Sequence, residues 1–209
     1  MTTAVRVADS PELLKQAFDL RVRIFGGEQG YDPEYEVDYL DGVAVPFVLV
    51  DGNARVVGVL RLIPYPLPDV PERVAGMRYW DTEKLPGVGR TEADFAAMLR
   101  AQMQLTQDEN GVCFSGVKVG RVAVDKSLRG TGCGRQLMEA AEAWLLKVVS
   151  SMPEARGTCQ VQVRLEAQMI AAKFYDKLGY EPASDVYILE GEPHMLYIKT
   201  LTTQCFSGA

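Results

Sequence analysis

Residues 122–135 read Val-Ala-Val-Asp-Lys-Ser-Leu-Arg-Gly-Thr-Gly-Cys-Gly-Arg, an apolar run followed by three glycines between Arg129 and Gly134. The apolar run predicts a strand over Val117 to Val124. Beyond the glycines, Leu137, Met138, Ala141, Trp144, Leu145 and Val148 fall on one face of a helix. A strand, a glycine turn and a helix make a common phosphate cradle, because the open N–H groups of the first helical turn and the helix dipole both favour an anion. The two best-known nucleotide fingerprints do not fit. A P-loop needs G-x-x-x-x-G-K-[ST], and here Gly134 is followed by Arg135-Gln136. A G-x-G-x-x-G fingerprint fails in both frames, since the third glycine would fall on Arg135 or on Leu137. Two readings stay open: a metal-free pyrophosphate site flanked by Arg129 and Arg135, or a glycine-rich connection that holds nothing.

Working outward, Ala4 to Val7 reads as a short strand. Ser10 reads as an N-cap with Pro11 at the first helical position, opening an amphipathic helix over 11–25 that Gly26-Gly27 ends. Residues 26–42 hold six acids (Glu28, Asp32, Glu34, Glu36, Asp38 and Asp41) and no base. They form either a solvated loop or an anionic wall that attracts a cationic substrate. Pro46–Val50 and Ala54–Ile63 read as a hairpin around Asp51-Gly52-Asn53. The proline-rich stretch from 64 to 112 reads as an insertion between strands, with a capped helix starting at Thr91 and Asp94 and too few apolar residues for a core of its own. Gln160–Leu165 is a strand and Gln168–Leu178 a helix closed by Gly179 in the left-handed conformation. Val186–Glu190 and Met195–Leu201 close the chain as paired strands. The order β-α-β-β-β-α-β-α-β-β predicts a mixed α/β domain, largely antiparallel at first, with a parallel crossover later.

At 209 residues a single domain over 1–209 is expected, and 47% apolar with 24% charged residues is ordinary globular composition. A net charge of −6 argues against nucleic acid as the main partner. The opening residues lack the apolar stretch of a secretory signal, and no run nears the roughly 18 apolar residues of a membrane span. A cytoplasmic protein is therefore expected. Cys113, Cys133, Cys159 and Cys205 are widely spaced with no C-x-x-C pair, so reduced thiols and no metal are the reading.

Val124-Asp-Lys-Ser-Leu-Arg129-Gly-Thr-Gly132-Cys-Gly134 resembles the V-x-x-x-x-[RQ]-x-x-G-x-[GA] signature of the GNAT superfamily of N-acetyltransferases. Phe174-Tyr175-x-x-Leu178-Gly179-Tyr180 resembles that family's F-Y-x-x-x-G-[FY] segment, in order and with a helix and a strand between the two. Arg21-Val-Arg23-Ile-Phe25-Gly-Gly-Glu28-Gln29, Asp38 and Asp41 resemble the opening of one small-molecule branch, with Ile24 where valine is usual. Leu165-Glu-Ala167-Gln168 and Glu190-Gly191-Glu-Pro193-His194 resemble its later segments. The likeness covers nearly the whole chain outside 64–112 and the tail after about 201.

The resemblance implies a mixed sheet of six to seven strands, helices on both faces, and a pair of parallel strands that splay to admit acetyl-CoA. It assigns the pantetheine arm to the backbone of Val122 and Val124. The pyrophosphate falls to Arg129, Gly130, Thr131, Gly132, Cys133, Gly134 and Arg135, with Phe174 alongside. An acceptor amine would attack the thioester directly, with a backbone N–H near Val124 polarising the carbonyl. Tyr175 would protonate the leaving thiolate; the other reading is a half-buried helix tyrosine. His194, the only histidine, suits deprotonation of an ammonium or a structural role. Glu28 would anchor the ammonium or act as base, or merely cap the loop, and Glu166 is a weaker base candidate. Phe25, Glu28, Gln29 and His194 are the implied acceptor-binding residues. A small primary amine is the expected acceptor and a homodimer is among the implied states. An amino-sugar phosphate would instead ask for basic residues such as Arg21 or Arg23 on the acceptor side. A protein or peptide N-acetyltransferase and a non-catalytic acyl-CoA sensor are the further alternatives.

Overall fold

The computed structural model describes residues 2–68, 84–108 and 111–205. Of the stretch read as an insertion, residues 69–83 and 109–110 lie outside the described residues, as does the tail 206–209. The sheet has nine strands where six to seven were expected. They are β1 (Thr3–Val7), β2 (Val45–Asp51), β3 (Val56–Pro64), β4 (Leu105–Asp108), β5 (Gly111–Val124), β6 (Gly157–Gln168), β7 (Glu181–Pro182), β8 (Tyr187–Leu189) and β9 (Glu192–Cys205). The order across the sheet is β1-β2-β3-β5-β6-β9-β7, with β4 beside the start of β5 and β8 beside the start of β9. Among the described residues only the β5–β6 pair is parallel; the helix between them supplies the crossover.

Helices cover both faces, and strand alternation shows which. Val48 and Val59 pack with Leu14, Phe18 and Ile24 from α1 (Pro11–Arg21) and the turn that continues it. Their chain neighbours Phe47, Leu49 and Leu60 pack on the other face, with α2 (Glu92–Gln102), α3 (Cys133–Ser150) and α4 (Ala172–Asp176). Sandwiched in this way, every residue of β3 is buried. α2 begins with the predicted Thr91–Asp94 capping box, and its Phe95 and Leu99 lie fully buried in the core shared with α3 and the sheet. Among the described residues, no helix is long and apolar enough to cross a membrane.

Two helix boundaries differ from expectation. Gly26-Gly27 does not end the first helix; α1 passes into a π-helical turn over Val22–Glu28. The glycines serve a fold-back instead, because a Cβ on Gly26 would stand 3.1 Å from the Pro33 ring. Residue 168, expected in a helix, is the last residue of β6, held there by pairing Gln168 with His194 of β9.

The feature that positions the site lies at the C-terminal ends of the parallel pair. The β5–β6 ladder runs from Val112↔Cys159 to Val119↔Leu165 and stops. β5 continues to Val124 against β3 alone, and β6 continues to Gln168 against β9 alone. Just beyond the point of separation lies a bulge: the β3–β5 register passes from Val59↔Ala123 to Arg61↔Gly120, leaving Leu60 opposite both Arg121 and Val122. The cleft expected between two splayed strands is therefore present.

Candidate active site

The glycine turn stands at the mouth of this cleft. Asp125 caps a single 3₁₀ turn over Lys126–Leu128, and the chain then reverses into α3 with Gly132 at the N-cap, at φ 94°. That angle suits glycine and leaves no side chain to cap the helix. Among the described residues, the amides of Gly130, Gly132, Cys133, Gly134 and Arg135 meet no acceptor. An anion of several oxygens fits such an array. Gly134 has a second reason to be glycine, since a Cβ there would lie 3.2 Å from the Phe174 ring. The two sequence motifs are thus packed against each other.

The flanking arginines are engaged. Arg129 donates from Nε to the Val124 carbonyl at 2.9 Å and pairs with Glu28 at 2.8 Å. Arg135 bonds Glu139 and the Lys177 carbonyl. Arg23 pairs with Asp125 at 2.8 Å, so the π-helical turn is bound to the glycine turn twice. Cys133 is buried and accepts from the Thr131 hydroxyl.

Tyr175 lies 7% exposed on the α4 face, its ring edge-on to Phe174 and Tyr180 and tilted against Tyr197. Burial drives its pKa well above the ordinary phenol value, so it carries its proton at neutral pH. Its hydroxyl makes no hydrogen bond among the described residues. Tyr180 is spoken for: its hydroxyl donates to Glu142, which also takes Lys199.

The other candidates sit across the sheet. His194 pairs with Gln168, on the face opposite Tyr197 and hence opposite Tyr175. It is 6% exposed, and its Nδ1 lies 2.9 Å from the Glu192 carbonyl. A carbonyl only accepts, so Nδ1 is the donor of that contact and Nε2 is the ring nitrogen with no partner among the described residues. Gln168 reaches across the mouth to the Tyr31 hydroxyl at 3.1 Å and to Gln29 at 3.4 Å. Glu166 is held by Lys118 and by the Tyr187 hydroxyl, whose pKa burial and Glu166 together push up to about 12. Phe25 lies under the Arg121 guanidinium. The geometry brings Gln29, Tyr31, Gln168 and His194 to one side of the cleft, Tyr175 and Phe174 to the other, and turns Glu28 toward Arg129.

The acidic segment divides: Glu28, Asp32 and Glu34 are exposed, whereas Glu36, Asp38 and Asp41 are turned against arginines. Arg21 makes a bidentate pair with Asp41 at 2.7 and 3.1 Å and also bonds the Glu36 carbonyl. Arg61 takes both oxygens of Asp38 at 2.6 Å and reaches Asp41 at 2.8 Å. Arg121 faces Glu36 at 3.3 Å and Asp38 at 3.5 Å. Three acids are thus neutralised inside by three arginines, and Asp32 is occupied in capping Glu34. Burial alone would raise the Asp41 carboxyl, but Arg21 and Arg61 outweigh it and hold it at about 2. At Glu36 burial prevails over Arg121 and Arg21, and the pKa is raised. Glu36, Asp38 and Asp41 are therefore not open to a cationic acceptor, and Arg21 is not free to meet a substrate phosphate. Sequence reading missed this network, together with Tyr31, Gln168 and Tyr187. Arginines at 21, 61 and 121 come from three elements, and no local spacing rule joins them.

Comparison with known proteins agrees with this geometry. Residues 95–182 match the acetyltransferase (GNAT) domain family. A Bacillus subtilis (strain 168) protein assigned as an acetyltransferase is 34% identical over 82 residues, 39% of this chain and 49% of that protein. The match thus spans about half the length of that relative. Among solved structures, an N-acetyltransferase assignment from Lactobacillus plantarum superposes with TM-score 0.61 at 21% identity, covering 96% of this chain and 99% of that one. An acyl-CoA N-acyltransferase from Pseudomonas aeruginosa gives 0.56 at 20%, covering 95% and 98%. An aminoglycoside 6'-N-acetyltransferase complexed with coenzyme A gives 0.52 at 15%, covering 96% and 97%. At these identities the structures establish a shared fold.

Proposed function

From the cleft and the match of residues 95–182 to the acetyltransferase (GNAT) domain family, we propose that the chain transfers an acyl group, acetyl in the first instance, from coenzyme A to the primary amine of a small molecule. The observation that carries this reading is the conjunction at one cleft: strands that part after Val119 and Leu165, and a turn of open amides at the mouth of that gap. The amides of Gly130 to Arg135 would hold the pyrophosphate without metal. The bare edge of β5 at Val122 and Val124 would run beside the pantetheine, once Arg129 leaves the Val124 carbonyl.

Direct attack asks for a neutral amine, a polarised carbonyl and a proton for the departing thiolate. The backbone N–H near Val124 serves the carbonyl. Tyr175 supplies the proton; its raised pKa keeps it in the acid form, and its dry surroundings strengthen the polarisation. On the opposite face, His194 Nε2 would take the ammonium proton directly or through water, while Nδ1 holds the Glu192 carbonyl. Gln29, Tyr31 and Gln168 supply hydrogen bonds around the acceptor. Glu28 serves as ammonium anchor only when Arg129 releases it. The test is thiol release from acetyl-CoA across a panel of primary amines that includes amino sugars, polyamines and short peptides. Acceptor-dependent release is expected. Saturable acetyl-CoA binding with no release for any amine would replace the enzyme by a sensor.

A further inference from the structure

Arg121 stands where the two halves of the cleft meet, outside both recognisable motifs. Its backbone lies at φ 53°, a left-handed conformation that is strained for a non-glycine residue and persists only where the surroundings over-determine it. Here the residue's own side chain does so. Its guanidinium faces Glu36 at 3.3 Å, Asp38 at 3.5 Å and the Tyr35 carbonyl at 3.4 Å, and lies 5.9 Å from the Phe25 ring centroid. Arg21 and Arg61 bind the same acidic segment from the core side. The segment so held carries Gln29 and Tyr31, whose contacts with Gln168 bridge to the far lip of the cleft. One residue therefore sits at the bulge just beyond the point where β5 leaves β6 and also holds the loop that crosses the opening.

We propose that Arg121 is a positioning residue that fixes segment 29–43 over the mouth of the cleft and so sets where the acceptor stands. This rests on reading the cleft as the donor site. Without the side chain, Glu36 keeps only Arg21 at 3.7 Å as a charged partner, and Asp38 keeps Arg61. The segment loosens. Among the described residues, no hydrogen bond or ion pair joins the Arg121 side chain to the glycine turn or to Phe174, so coenzyme A affinity should be retained.

Three variants separate backbone from side chain. Glycine tolerates φ 53° without strain, so Arg121→Gly removes only the side chain, whereas Arg121→Ala also keeps the strain and melts lower than Arg121→Gly. Arg121→Lys restores charge without the planar fork. In Arg121→Gly, amide hydrogen exchange across 29–43 rises at least tenfold, and the coenzyme A Kd by calorimetry stays within twofold of wild type. With the best amine of the panel, the acceptor KM rises tenfold or more while the acetyl-CoA KM holds, and Arg121→Lys recovers part of the loss. A folded Arg121→Gly with wild-type exchange and wild-type acceptor KM would overturn the proposal, as would a tenfold loss of coenzyme A affinity. If wild type turns over no amine, the enzyme reading fails, while exchange and coenzyme A binding still decide the role of Arg121.

Discussion

Tyr175 and His194 lie on opposite faces of the sheet, so the proposed reaction would divide the proton traffic between them. In the proposed reaction Tyr175 would give a proton on the donor side and His194 would take one on the acceptor side. Removing the Tyr175 hydroxyl isolates the first step. Tyr175→Phe should lower kcat by about 10²-fold or more, the usual worth of a positioned acid, and leave the coenzyme A Kd unchanged by calorimetry. Unchanged turnover would reduce the residue to packing between Phe174, Tyr180 and Tyr197. Tyr175 could be singled out from sequence because it sits inside a motif with a fixed spacing. Gln168 and Tyr31 could not, because their meeting depends on how far β6 runs and where the loop folds back.

Among the elements, α3 and its turn were the most legible. A local pattern set the strand, the turn and the helix face, and the structure adds why Gly134 is glycine. Helix propensity alone would favour a larger residue there, but the Phe174 ring stands 3.2 Å from where its Cβ would be. Gly134→Val should therefore displace Phe174 and weaken coenzyme A binding at least tenfold in calorimetry. The melting temperature should change little, since α3 itself gains propensity; wild-type affinity in the folded variant would contradict the packing argument. The π-helical end of α1 was not legible. Two adjacent glycines ordinarily stop a helix, and only the approach of Pro33 to Gly26 explains why they continue this one. The early start expected for the helix after β6 failed for a similar reason: pairing with β9 overrides a local helical pattern at Gln168.

At the scale of the whole molecule, the buried arginine–carboxylate network ties α1, the acidic segment, β3 and β5 together, and it makes stability depend on pH. Asp41 has a folded-state pKa of about 2, below its ordinary 3.8. Its contribution is therefore complete above 3.8 and is lost as pH falls through 3.8 toward 2, an amount on the order of 2 kcal/mol. Glu36 has the opposite sign: raised by burial, its charge costs stability above its folded-state pKa, and that cost is relieved on acidification. Urea midpoints measured between pH 2 and 7 should show the wild type losing stability through the lower range. Asp41→Asn should flatten that limb and cost about 3 kcal/mol at neutral pH, since Arg21 and Arg61 would lose a buried partner. An acid limb of wild-type steepness in this variant would assign the dependence to other carboxylates.

What the amino-acid sequence determined by itself was everything local or motif-borne: the mixed α/β order, the capped helices, the turn of open amides and the tyrosine that follows it. Those features depend on neighbours in the chain and survive any change in distant packing. The tertiary structure alone decided the state of the charges and the shape of the opening. Whether Glu36, Asp38 and Asp41 face solvent or arginine depends on residues 21, 61 and 121 arriving from separate elements. The strands part after Val119 and Leu165, and just beyond that point a bulge at Arg121 shifts the register of β5 against β3. Burial and long-range pairing are properties of the assembled sheet, and the second half of an acidic stretch that reads as surface becomes there an arginine-paired buttress, while Glu28, Asp32 and Glu34 stay exposed.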